Sequence, residues 1–243
     1  MKVGCIIQAR MGSERLPGKV LKMVAGRAIV QHLIDRAKTL GENAAIILAT
    51  SLSRLDDPLE RVAMRNGIHC HRGSETDVLG RFSSCAERFG LKTVIRLTAD
   101  CPLLSSRLLK GSVRTYLRRF PTADYFFIDG YPNGLGAIEI LSASALRQSS
   151  RVARRPEERE HVVPYVMRHP KRFRVTILRA RGPLFRPDLR VCVDTPEDLL
   201  LVRKVAGSLG ATDIEPLRLI RFLDRHPEVR ALNAEVQQKQ VSI

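Results

Sequence analysis

Tryptophan is absent from this 243-residue chain, and phenylalanine and tyrosine together supply only 5% of it. Proteins that grip single-stranded nucleic acid stack bases on aromatic side chains, and such platforms have little material here. Five cysteines (Cys5, Cys70, Cys85, Cys101 and Cys192) show no CxxC spacing and sit mostly inside apolar runs. That argues against a disulfide framework or a thiolate zinc site. No apolar stretch approaches the roughly 20 residues of a membrane span. The start MKVGCIIQAR also lacks the apolar run of a secretory signal. The expectation is a soluble, cytoplasmic protein.

Positive charge is plentiful: 41 lysines and arginines against 25 acids, a formal net charge of +16. Such a surplus favours polyanionic partners, whether nucleic acid, nucleotides or acidic metabolites. The cations are spread along the chain, as at Arg154, Arg155, Lys171 and Arg172, rather than gathered in a tail. With no recognised nucleic-acid motif, small anionic ligands are the expected partners.

Short apolar runs alternate with helix-period segments: KVGCII, a helix near 29–40, AAIILAT, a helix near 58–66, GIHCH, a helix near 76–89, KTVIRLTAD, a helix near 105–120, and ADYFFI. This rhythm predicts an α/β fold with a mostly parallel twisted sheet flanked by helices. Beyond Asp129 the rhythm changes to a Gly/Pro turn, a strand and a helix. REHVVPYVMRHP then reads as one helix ending at Pro170. RFRVTIL and DLRVCVD read as strands, PEDLLLVRKVAGSLG as a helix opened by Pro196, and DIEPLRLIRFLDRHPEV as a last helix packing on the sheet. We expect one domain over residues 1–233, an insertion at about 129–171 holding an acceptor pocket or dimer arm, and a frayed tail at 234–243.

Directly after the first apolar run comes QARMGSERLPGK, Gln8 to Lys19. It is not a P-loop: Gly12 and Gly18 enclose five residues where that motif takes four, and Val20 stands where its metal-binding hydroxyl would be. It is instead a glycine-bearing loop at the carboxyl edge of a sheet, where open α/β folds bind ligands. Arg10, Arg15 and Lys19 could surround a triphosphate there, with backbone N–H groups near Gly12 and Ser13 donating to it. Only Glu14 offers a neighbouring acid, so an anion site is preferred to a paired surface loop.

Two aspartates close apolar strands, Asp100 in TADCP and Asp194 in VCVDTPEDL. A carboxylate at a strand's carboxyl end faces the ligand crevice, and beside a phosphate loop it suits Mg²⁺. Asp100 could equally cap a helix. At the second site Thr195 could be the cap, with Asp198 in the first turn, leaving Asp194 for the crevice.

Taken in order, QARMGSERLPGKVL, RGSETDVLGRF, VIRLTADCPLL, PEEREHVVPYVMRHPKRF and VDTPEDLLLVRKV resemble the cytidylyltransferase-like sugar nucleotidyltransferases of spore-coat polysaccharide synthesis. The likeness extends more distantly to 3-deoxy-manno-octulosonate and acylneuraminate cytidylyltransferases. It implies a Rossmann-like, GT-A-like nucleotidyltransferase fold, CTP as donor, Mg²⁺, a homodimer and release of pyrophosphate. Carried over, it assigns Gln8, Ala9, Arg10, Gly12, Ser13, Arg15 and Lys19 to the nucleotide and Asp100 and Asp194 to the metal. Ala49, Thr50, Arg72, Gly73, Ser74 and Asp77 would border the cytidine. Arg81 and Arg96 match family positions as well. Arg96, Asn133, Glu139, Glu160 and His161 would serve the acceptor. Where relatives often carry Arg-Gly-Leu-Asp, this chain has Asn133-Gly134-Leu135-Gly136, so one charge of each sign is missing there.

The reaction implied is attack of an anionic acceptor's oxygen on the α-phosphorus of CTP, with Arg10, Arg15, Lys19 and Asp100 as the catalytic set and Arg15 and Lys19 stabilising the leaving pyrophosphate. Competing readings are a nucleotidyltransferase that uses another NTP with a sugar-1-phosphate, a non-catalytic relative that binds nucleotide only, and a nucleic-acid-binding module. A GT-A glycosyltransferase would show a DxD motif, which LDDP at 55–58 does not supply.

Overall fold

The computed structural model describes residues 2–42 and 44–237; residues 238–243 of the expected tail lie outside them. Strand β1 (Val3–Gln8) leads to a small hairpin, β2 (Met23–Val24) and β3 (Arg27–Ala28). It is followed by β4 (Ala44–Ser51), β5 (His69–Gly73), β6 (Thr93–Thr98), β7 (Tyr125–Asp129), β8 (Glu139–Ser142) and β9 (Val175–Arg179). Between and after them lie α1 (Ile29–Lys38), α2 (Asp57–Arg65), α3 (Val78–Arg88), α4 (Ser106–Arg119), α5 (Ala143–Val152), α6 (Pro156–Glu160), α7 (Pro164–Arg168), α8 (Pro196–Leu209), α9 (Pro216–Arg225) and α10 (Pro227–Arg230).

Seven of the described strands form one sheet in the order β5-β4-β1-β6-β8-β7-β9. All neighbours run parallel except β8, which is antiparallel to both β6 and β7. The apolar runs are continuous because both faces are covered. Cys5, Ile7, Leu48, Ile95 and Ile140 join one core with Leu33 of α1 and Val202 of α8. Ile6, Ile47, Val94 and Leu141 join the other with Phe82 of α3 and Leu146 of α5. Side chains alternate between these cores with the two-residue period of a strand.

The connections from β1 to β4 and β5 run to one side of the sheet, while β6 takes the other side of β1. At the carboxyl edge, Gln8 lies in register with both Ala49 and Thr98. The crevice beyond Gln8 and Thr98 is therefore the switch point of the sheet, where ligands of open α/β folds bind.

Three expected elements differ. The single helix expected to run to Pro170 is two short ones, α6 and α7, because Pro164 cannot continue a helix and buried Val162 sits at φ 66°. DLRVCVD is extended but, beyond one isolated bridge from Arg190 to Asn133, pairs with no strand among the described residues. Leu189, Val191 and Val193 are buried, yet the backbone bonds of this segment are divided between Asn133 and Asp100. The segment is apolar because it is packed in the core, not because it belongs to the ladder. The last helix, expected as one, is α9 and α10, divided at non-helical His226 before Pro227; α9 packs against the 182–184 turn and α10, and Ile220 and Leu223 enter the first core.

Candidate active site

The loop after β1 is tied down by its own backbone and by two side-chain oxygens. Gly18, at φ 66°, donates to the Met11 carbonyl, Met11 N–H donates to Asp56 Oδ1 at 2.7 Å, and Ser13 Oγ accepts from Leu16 N–H. A glycine tolerates the left-handed backbone that closes this turn. The closed loop sends Lys19 back under the sheet edge. Its ammonium lies 3.0 Å from Asp100 Oδ2 and 2.6 Å from Asp194 Oδ1, and it donates to the Val193 carbonyl at 2.9 Å. Burial opposes the charge on Lys19, but Asp100 and Asp194 together overcome it and hold its pKa above the ordinary lysine value. Burial likewise raises Asp194, and Lys19 and Arg190 more than reverse that, so it stays ionised.

These groups floor a cleft of about 360 Å³. Of the residues expected at the site, Gln8, Ala9, Arg10, Gly12, Ser13, Arg15, Lys19, Arg96, Asp100, Asn133, Glu160, His161 and Asp194 line it. Asp100 is not a helix cap, since Ser105 caps α4 through the Leu108 N–H. Thr195 caps α8 in a capping box with Asp198, as expected, and Asp194 is left facing the cleft. His161 ends α6 and faces the cleft beside Glu160.

The other expected residues lie off the cleft. Thr50 is buried, with its hydroxyl donating to Asp56 Oδ2 at 2.8 Å, and the Ala49 carbonyl accepts from Ala9 N–H. Arg72 is a strut: it pairs with Asp57 and Glu60, both at 2.8 Å, and donates to the Ser51 and Ser53 carbonyls. Gly73 packs against the Arg81 stem, and Ser74 holds the 74–77 turn through Asp77 N–H. Asp77 caps α3 through Gly80 N–H and pairs with Arg159. Glu139 stands behind the wall, bound by Arg96 and by the Tyr125 hydroxyl. Arg96 also donates to Gln8 Oε1, fixing that side chain at the cleft floor.

Sequence reasoning expected only Glu14 near the loop cations. In the fold their partners come from afar: Arg10 faces Glu160 at 3.8 Å and Arg15 faces Asp194 at 3.2 Å. It also missed Arg190, which grips Asp194 Oδ2 at 2.6 Å and lays its guanidinium side-on against the fully buried Asp198. The regular spacing Arg190, Asp194, Asp198 was the available signal.

A switch-point cleft floored by cations and two aspartates, in a mostly parallel seven-stranded sheet covered by helices, defines an α/β protein of the nucleotidyltransferase fold. The sequence profile of the cytidylyltransferases matches residues 4–235, and this chain belongs to that family. It is 33% identical over 229 residues to spore coat polysaccharide biosynthesis protein SpsF of Bacillus subtilis, covering 92% of this chain and 94% of that one. Its structure resembles a cytidylyltransferase from Leptospira borgpetersenii with a TM-score of 0.86 at 29% identity, over 99% of both chains. The fold is also that of a CMP:2-keto-3-deoxy-manno-octonic acid synthetase complexed with CTP (TM-score 0.64, 19% identity, 86% of this chain and 100% of the other). No helix among the described residues is long and apolar enough to cross a membrane.

Proposed function

We propose that this chain transfers CMP from CTP to an anionic acceptor, a sugar acid or a phosphate or phosphonate, with release of pyrophosphate, as a Mg²⁺-dependent cytoplasmic homodimer. The observation that carries the reading is the convergence of Arg10, Arg15 and Lys19 with Asp100 and Asp194 at the switch point of the sheet. Family membership and the CTP complex of the octonic acid synthetase support the donor.

The charge balance of the cleft supports a metal. Its lining holds four cations, Arg10, Arg15, Lys19 and Arg96, and four acids, Glu14, Asp100, Glu160 and Asp194. No surplus is left for a triphosphate. Two carboxylates converging on one cationic position are the hard oxygen donors that Mg²⁺ takes alongside phosphate oxygens. Asp100 and Asp194 would hold the ion, which when bound neutralises phosphate charge. Lys19 and Arg15, released from those aspartates, would meet the β- and γ-phosphates and stabilise the departing pyrophosphate.

The acceptor oxygen forms a bond to the α-phosphorus as the bond to the pyrophosphate oxygen breaks. Catalysis of this kind needs positioning and charge stabilisation rather than a protein nucleophile. Arg96, Asn133, Glu160 and His161, which line the same cleft, would hold the acceptor.

Thermal stability measured with Mg²⁺ and each of CTP, UTP, ATP and GTP tests the donor. CTP at about 100 times its dissociation constant adds roughly 2.7 kcal/mol, a rise of roughly 5–11 °C for a chain of this size. The rise should vanish in Lys19→Ala. No shift with CTP in the wild type refutes the reading.

A further inference from the structure

Arg81 is the bulkiest of the fully buried side chains. Its Nη1 donates to the Ser74 carbonyl at 2.7 Å, while Nε and Nη2, both buried, have no hydrogen-bond partner among the described residues. Those two nitrogens form one edge of the guanidinium, the parallel N–H fork that matches a pair of neighbouring acceptors. Elsewhere the chain fills the same edge: Asp198 takes it from Arg190 and Asp188 takes it from Arg186, every contact 2.9 Å long. An empty buried fork on a charged group is costly and calls for an explanation.

The nearby carboxylates do not fill it. Asp56 spends its oxygens on Met11, Thr50 and Ser51, and the exposed Glu75 lies across Gly12, with Oε1 3.1 Å from where a Cβ would stand. Burial, with Arg10 next in weight, pushes the Arg81 pKa down to about 10, so the group remains charged near neutrality. Arg81 lies under the exposed 74–76 turn, and Val78, one turn earlier on α3, lines the cleft.

We propose that Arg81 determines which nucleotide is used, its empty Nε/Nη2 edge donating to the adjacent O2 and N3 acceptors of the cytosine ring when the base enters between Gly12 and the 74–76 turn. The inference rests on the donor reading above. Its chemistry is selective, because cytosine N3 accepts a hydrogen bond whereas uracil N3 carries a proton that would meet a donor. A phosphate or an acceptor carboxylate would also fit a fork of this shape, and the test separates them.

The affinities of CTP, UTP and 3-deazacytidine triphosphate, which lacks the N3 acceptor, are measured with Mg²⁺ for the wild type, Arg81→Lys and Arg81→Met. For the wild type, CTP should bind on the order of ten- to a hundredfold tighter than either analogue, the range of a hydrogen bond to a charged group. In Arg81→Met the three should converge, and in Arg81→Lys CTP should keep part of its advantage. The wild-type comparison stands even if a variant fails to fold. Equal wild-type binding of CTP and the deaza analogue overturns the assignment while leaving the donor reading intact. A uniform loss for all three nucleotides in a folded Arg81→Met overturns it in favour of a phosphate contact. Failure of the wild type to bind CTP removes the donor reading and this inference with it.

Discussion

Replacing Asp198 by asparagine should be among the most damaging one-atom changes in this chain. Its buried carboxylate accepts five hydrogen bonds: from Arg190 Nε and Nη2 at 2.9 Å, from the N–H groups of Asp194 and Thr195 at 2.9 and 3.2 Å, and from Asn233 Nδ2 at 2.8 Å. Asparagine keeps one acceptor oxygen and turns the other into a donor, which then faces donors. It also leaves Arg190 without its side-on partner. Breaking a buried ion pair by removing one charge costs about 3–5 kcal/mol, which at this length lowers the melting temperature by roughly 6–20 °C.

The pH dependence carries a sign of its own. Burial raises the Asp198 pKa, but Arg190 and Asn233 more than offset it, so the group sits below the ordinary carboxylate value. Its stabilisation is therefore present above the unfolded value of about 3.9 and lost as pH falls through the lower folded one. The gap between wild type and Asp198→Asn, measured by urea unfolding, should be constant near neutrality and shrink below about pH 4. A neutral-pH loss under about 1 kcal/mol, or a gap that widens on acidification, would refute the reasoning.

Two further outcomes are expected. In Gly136→Asp the new Cβ would stand 2.4 Å from the Tyr131 ring, an overpacking worth about 1–3 kcal/mol; adding Tyr131→Ala should recover most of that loss in urea melts, and an additive double variant would show that the ring is not the obstacle. Burial pushes the Cys5 and Cys85 thiols up to about 12 and that of half-buried Cys70 to about 11, so a disulfide reagent at pH 8 should label the native protein slowly, Cys70 first, and all five thiols at once in denaturant. Fast native labelling of several thiols would contradict the packing.

The elements that local chemistry specifies were legible in the chain. β1, β4 and β6 are apolar runs between helix-period segments, Thr195 and Asp198 spell a capping box, and the cation-bearing loop follows its strand at once. Where a residue's role depended on its neighbours, the reading was weaker. Arg72 and Asp77 had the chemistry of ligands, but the fold spends Arg72 on Asp57 and Glu60 and Asp77 on the α3 cap and Arg159. The run at 189–193 had strand composition without a strand partner.

By itself the sequence determined the α/β class, the family and the residues at the strand ends, because each is written in the period of apolar positions or in contiguous motifs. Tertiary structure alone decided that Lys19 stands between Asp100 and Asp194, 81 and 175 residues away. It alone left the Arg81 fork without a partner among the described residues. Those facts depend on which distant segments the sheet order brings to one edge, and no local period encodes that.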